Sequence, residues 1–156
     1  MKGVKEPVNW SAVAAEAFEL KLGEIARKQK EKAMETVVSR LRASKIEHAN
    51  TVNKEGHEAG AAWARDTAEY DELGRLNKLN LNDWFRGEPD APFSNADHLA
   101  FAITGTDADE CSRDEAHEMV RDFWGNIDDE VLEHEDFLRG FCEGALSVFE
   151  KVEGRL

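Results

Sequence analysis

The 156-residue chain lacks the long apolar runs and the cysteine pairs that mark membrane and disulfide-rich proteins. No run of 18 apolar residues is present, and the charged N-terminus has no apolar stretch of a signal peptide, so neither a membrane span nor secretion is indicated. The two cysteines, Cys111 and Cys142, fall outside any CxxC or CxxxH spacing, which predicts reduced thiols rather than a disulfide framework or a zinc site. These absences predict a cytoplasmic protein.

The chain also lacks the common motifs of catalytic and cofactor sites. It has no G-x-S-x-G elbow, no glycine-rich phosphate loop after a strand, and no pair of Glu-x-x-His motifs for a metal in a helical bundle. The nearest metal-like spacing is Asp114 with His117, and a lone pair of this kind on an acidic helix is typical of a surface pair rather than of a metal site. We therefore predict no enzyme activity, no catalytic residue, no cofactor and no metal.

Charge is present in excess and is unevenly distributed. The net charge is −13, from 33 acidic and 20 basic side chains, which is too acidic for a protein that coats nucleic acid with its whole surface. Residues 1–45 have ten Lys and Arg against six Asp and Glu, or +4, whereas residues 87–156 have five against nineteen, or −14. This asymmetry is typical of a basic region that faces nucleic acid and an acidic region that faces a partner, or simply of solvated helix faces.

Apolar residues in the first half of the chain recur at intervals of three and four, which predicts helices. Asn9 is placed to cap the first helix, and a later capping motif at Ser44 and Glu47 predicts a turn there or at 48–53. The expected result is two long N-terminal helices in an antiparallel or coiled-coil-like hairpin. The stripe from Trp10 to Leu41 is about 45 Å long at 1.5 Å per residue, too long for a small globule to cover, so we expect a homodimer.

Residues 86–95 contain two prolines and a glycine and predict a linker. Beyond it, Ser94 should cap a helix over 96–104 that Gly105 stops, Ser112 with Glu115 should cap a second helix, and Asp128 should cap a last helix running to Gly154. With no alternating strand pattern, the sequence predicts an all-α fold: a dimerisation region at 1–85, a linker at 86–95, and a smaller acidic bundle of three helices at 96–156.

Two helical segments share the pattern G-x-x-x-G-A, one at Gly56 and Gly60 and the other at Gly140 and Gly144. Each glycine costs about 1 kcal/mol relative to alanine in a helix interior, so a close approach of another backbone should compensate. We predict a helix crossing at each pair, with chance spacing of small residues as the alternative.

The segment VNWSAVAAEAFELKL, residues 8–22, resembles the second helix of ribbon-helix-helix repressors and antitoxins. The resemblance implies a dimer, and the amino end of this helix would contact DNA phosphate through Asn9, Trp10 and Ser11, with Lys2 and Lys5 beside it. The resemblance and the helical stripe together predict five residues of a dimer interface or a core: Val13, Ala17, Phe18, Leu22 and Ile25.

Only eight residues precede Asn9, too few for the ribbon and the first helix of that family. The segment therefore belongs to a piece or an alternative start of a longer regulator, or to a helix kept for dimerisation without DNA reading. We predict a non-enzymatic, oligomeric, helical protein of regulator or antitoxin type, with weak DNA binding and a protein partner for its acidic C-terminal region. The alternative is an acidic protein that mimics nucleic acid and inhibits a DNA-binding or defence enzyme.

Overall fold

The computed structural model describes residues 7–87 and 92–156, and every regular element in this part of the chain is a helix. The all-α prediction is therefore confirmed. No helix among the described residues has both the length and the apolar character needed to cross a membrane. The seven helices are α1 Trp10–Asp66, α2 Tyr70–Lys78, α3 Leu81–Trp84, α4 Asn95–Thr104, α5 Arg113–Trp124, α6 Asp129–Leu132 and α7 Glu135–Glu153.

Helix α1 is a single helix of 57 residues, so the predicted turn near Ser44 or at 48–53, and with it the hairpin of two long helices, is wrong. Its start is as predicted, because the Asn9 Oδ1 accepts a hydrogen bond from the Ala12 amide at 3.2 Å. The helix continues past the capping motif because no glycine or proline interrupts 24–55. Thr51 is also accommodated within the helix, where its hydroxyl donates to the carbonyl of Glu47 at 2.9 Å.

Helices α4 and α5 begin as the sequence predicts. The Ser94 hydroxyl accepts from the Asp97 amide at 3.2 Å while the Asp97 carboxylate accepts from the Ser94 amide at 2.8 Å, and Ser112 forms the same reciprocal pair with Glu115. Gly105 ends α4 in the left-handed conformation, with a φ of 73°. Local capping chemistry fixed these ends.

The last predicted helix, from Asp128 to Gly154, is divided into α6 and α7. A continuous helix would stack Asp129, Glu133 and Asp136 at intervals of four and three, where like charges repel. A new helix that starts at Glu135 instead places two acidic side chains in its first turn, where the helix dipole favours them.

The described chain forms two units, which divide between Ile46 and Glu47 rather than at the predicted linker over 86–95. Residues 88–91 of that segment lie outside the described residues. The second unit contains the core, because α2 packs against both α4 and α7, on the other side of the segment in sequence. Its largest fully buried side chains are Leu76, Leu99, Ile103, Leu138 and Cys142. Both cysteines are free, and burial raises the pKa of the Cys142 thiol to about 12.

Candidate interaction surfaces

The first unit consists, in its described part, of the tail before α1 and the first 37 residues of that helix, and residues 8–46 are called the N-terminal segment below. This segment carries most of the large apolar side chains that the described chain leaves exposed. Trp10 is 74% exposed and Leu20 is 70% exposed. The exposed set in this segment is Val8, Trp10, Val13, Phe18, Leu20, Leu22, Ile25, Met34, Val37, Leu41 and Ile46.

The five residues predicted as dimer or core positions lie on this segment, and none of them is in the core of the chain. Phe18 is 67% exposed, and even the least exposed of the four large ones, Ile25, is 43% exposed. The alternative that these residues belong to the core is therefore wrong for all five: Val13, Ala17, Phe18, Leu22 and Ile25. Helical periodicity groups these side chains into stripes along the helix, but it does not supply a neighbouring element to cover them.

The predicted phosphate-binding residues fall into two groups. Lys2 and Lys5 lie outside the described residues. Asn9, Trp10 and Ser11 come together at the start of α1, where they are exposed. Two amides of this first turn already have acceptors within the chain: the Trp10 amide donates to the Val8 carbonyl at 3.1 Å, and the Ala12 amide donates to Asn9.

Charged side chains of the N-terminal segment form only exposed pairs along the helix. Glu24 lies 3.5 Å from Lys21 and 3.3 Å from Lys28, and Arg27 lies 3.7 Å from Glu31. Such exposed pairs contribute little to stability, because water screens them and ordering the side chains costs entropy. The same groups can therefore exchange their partners when another molecule approaches.

The two glycine motifs meet each other in the second unit. A Cβ on Gly56 would overlap the carbonyl oxygen of Phe137, and a Cβ on Gly60 would overlap that of Phe141. The glycines of α7 lie against α1 in the same way. Gly140 faces the backbone carbonyl of Asn53, and Gly144 faces that of His57. Residue numbers rise together on both helices, so the C-terminal part of α1 and α7 run parallel, with backbone against backbone.

Side chains flank this glycine contact at both ends. At the beginning of α7, the Asn53 side-chain amide donates to the carbonyl of Asp136 at 3.2 Å. Farther along, the ring of Phe141 lies 5.5 Å from that of Trp63 and 5.0 Å from that of Trp124, between ring centroids. The four glycines are thus part of the packing of the second unit, and backbone atoms of the chain itself fill the space beside them.

A cleft of about 400 Å³ is formed by residues of α4, α5 and α6, with the flanking loops. The indole of Trp124 in its wall already donates to the carbonyl of Ala96 at 3.1 Å. The lining residues His117 and Arg121 are exposed to solvent. Within 7–87 and 92–156, no buried side-chain nitrogen or oxygen lacks a hydrogen-bond partner, and no cluster of three or more His, Cys, Asp or Glu residues is arranged for a metal ion.

The second unit is strongly acidic. Residues 47–156 have 27 Asp and Glu against 10 Lys and Arg, which gives −17. Among the described residues of this unit, only three carboxylates, those of Glu58, Asp83 and Glu135, form ion pairs with a basic side chain. Most of its negative charge is therefore available to solvent or to a basic partner.

Comparison of the chain with protein-family models, with curated proteins and with solved structures finds no match. The two surfaces described above, one apolar and one acidic, are therefore the basis for assigning a function.

Proposed function

We propose that this protein is a non-enzymatic interaction protein of the regulator or antitoxin type, which forms a homodimer through its N-terminal segment and binds a basic protein with its acidic unit. The observation that supports it is the set of eleven large apolar side chains exposed between Val8 and Ile46. Soluble monomers rarely expose contiguous apolar patches larger than a few hundred Å². Pairing one face of this segment with a second copy covers part of this apolar surface.

The free energy available from such burial is sufficient for association. Fully burying a Val, Leu, Ile, Phe or Met side chain contributes about 1.5 to 3 kcal/mol. Loss of translational and rotational freedom opposes association by about 4 to 15 kcal/mol. Burial of a few such side chains on each of two copies therefore outweighs the loss.

The homodimer is tested by the mass of the full-length protein in solution. Sedimentation equilibrium at micromolar concentration should give twice the monomer mass of 17.5 kDa. The dimer should persist in high salt, since apolar burial is not screened. A single 17.5 kDa species over the whole concentration range would refute self-association.

Weak DNA binding is the second part of the proposal, and it follows from the resemblance of residues 8–22 to the second helix of ribbon-helix-helix proteins. Phosphate contacts from Lys2, Lys5 and the amino end of α1 should give a Kd of about 10⁻⁴ to 10⁻⁶ M for duplex DNA, with a salt slope of about −0.9 per phosphate neutralised. Lys2→Glu combined with Lys5→Glu should abolish it in a fluorescence anisotropy titration. Binding that survives this double change would show that Lys2 and Lys5 are not the contact.

An acidic inhibitor that mimics nucleic acid is the second candidate function, and the unpaired carboxylates of residues 47–156 favour it. In that case a basic DNA-binding protein should bind this chain, and duplex DNA should compete for the same surface. The two candidates separate in a three-component titration. Competition by DNA supports mimicry, whereas simultaneous binding of the basic protein and DNA supports the regulator.

A further inference from the structure

A regular stripe of side chains runs along one face of the helix in the N-terminal segment. Its members follow each other at alternating intervals of three and four, which keeps them on one stripe of a helix that pairs with another. The stripe is apolar at both ends and charged in the middle. We call it the seam, and it consists of Trp10, Val13, Ala17, Leu20, Glu24, Arg27, Glu31, Met34, Val38 and Leu41.

The seam is accessible in the single chain. Its exposed fractions at the two ends are 48% for Val13 and 56% for Leu41, and Val38 is partly exposed. In the middle, the side chains of Glu24 and Arg27 are 42% and 69% exposed. All of these groups can reach a partner helix.

We propose that the seam binds the seam of a second copy in antiparallel orientation, so that Glu24 of each copy meets Arg27 of the other. This inference rests on the proposed self-association and specifies its geometry. The same register brings apolar residues together on both sides of the charged centre. It pairs Trp10 with Leu41, Val13 with Val38, and Ala17 with Met34 of the second copy.

A parallel pair would be opposed by charge. It would place Glu24, Arg27 and Glu31 each against the same residue of the other copy, which makes three layers of like charge. The charges outside the seam favour the same choice. Outside the seam, residues 8–25 have one Lys and two Glu, or −1, and residues 26–46 have six Lys and Arg and one Glu, or +5, so antiparallel pairing sets opposite charges side by side.

The register is also defined by the charged centre. Sliding the antiparallel pair by seven residues in one direction would place Val13 against Glu31 and Ala17 against Arg27. Sliding it by seven in the other direction would place Val13 against Lys45 and Glu24 against Met34. In the proposed register two equivalent mixed layers remain, in each of which Leu20 of one copy meets Glu31 of the other. There the Glu31 carboxylate retains the Arg27 guanidinium of its own helix, 3.7 Å away, as a partner.

Three of the predicted dimer residues lie outside the seam. Phe18, Leu22 and Ile25 are spaced by four and three and form a separate stripe. Leu22 follows the seam residue Leu20 by two positions, which turns it about 200° around the helix. These three side chains therefore remain exposed in the antiparallel pair.

Cysteine cross-linking tests the orientation. In a Cys111→Ser background, the variant with both Val13→Cys and Val38→Cys should form a covalent dimer when oxidised glutathione is added, because the two positions face each other. Val13→Cys alone should form none, since its two copies would lie about 37 Å apart, the length of 25 helical residues. Cross-linking through Val13→Cys alone would overturn the antiparallel orientation.

Charge exchange tests the register. Glu24→Arg should raise the dimer Kd at least about tenfold, because it places like charges at the centre of the pair. Adding Arg27→Glu to the same chain should restore the Kd to within about threefold of the wild-type value. The matched control is Glu19→Arg, which makes the same charge change off the seam. Because solvent and salt screen an exposed charge outside the contact, it should leave the Kd within about threefold.

The failure of this geometry is distinguishable from the failure of the proposed function. A dimer whose Kd responds equally to Glu24→Arg and Glu19→Arg, with no rescue by Arg27→Glu, would overturn the antiparallel register and leave self-association intact. A chain that is monomeric by sedimentation in its wild-type form would overturn both.

Discussion

Gly60→Ala should destabilise the protein by about 2 kcal/mol, although alanine is the better helix former. The added Cβ would overlap the carbonyl oxygen of Phe141 and lie 2.6 Å from its carbonyl carbon. Those are backbone atoms of α7, which cannot rotate away as a side chain would. The helices must separate, and that separation loosens the packing around the contact.

Gly23→Ala is the matched control, because it makes the same substitution in the same helix. No atom outside the local helix lies within 4 Å of a Cβ at Gly23, so only helix propensity changes, and the variant should be more stable by about 1 kcal/mol. Urea unfolding followed by circular dichroism measures both variants. Equal stabilisation by the two substitutions would contradict the close helix contact.

Phe141→Ala should reduce the free energy of unfolding by about 3 to 5 kcal/mol, the largest effect that we expect from a single side chain. The Phe141 ring is 2% exposed and packs against Trp63 and Trp124. Its removal leaves a cavity between two helices whose backbones are already in contact, so they have little room to collapse into it.

Tryptophan fluorescence during chemical unfolding provides the measurement, since two indoles contact the deleted ring. Phe18→Ala is the control: it removes the same atoms from a side chain that is 67% exposed, and the free energy of unfolding should change by no more than about 0.5 kcal/mol. An equal loss from both variants would mean that Phe18 is buried in the protein in solution.

Some sequence predictions failed where two local signals disagreed. Ser44 and Glu47 have the spacing of a capping box, yet α1 continues through them. Ser94 with Asp97 and Ser112 with Glu115 have the same kind of spacing and do form caps. The difference lies in the preceding residues, because a glycine or proline comes within eight residues before Ser94 and Ser112, whereas the helix before Ser44 has none after Gly23.

The sequence by itself determined the helical class, the caps at Asn9, Ser94 and Ser112, and the stop at Gly105. Each of these depends on hydrogen bonds and backbone conformations within about four residues, so the local sequence contains the necessary information. The glycine spacing likewise indicated that some backbone must come close to Gly56 and Gly60.

Only the tertiary structure decided which backbone that is, and which apolar residues are buried. Gly60 meets Phe141, far along the chain, and no local pattern specifies such a contact because it depends on the path of every residue between them. Val13 and Val52 are the same residue type on the same helix, yet they are 48% and 8% exposed. Periodicity assigns each to a stripe, but burial requires a second element packed against that stripe. Among the residues that the structure describes, Val52 has such a neighbour and Val13 does not.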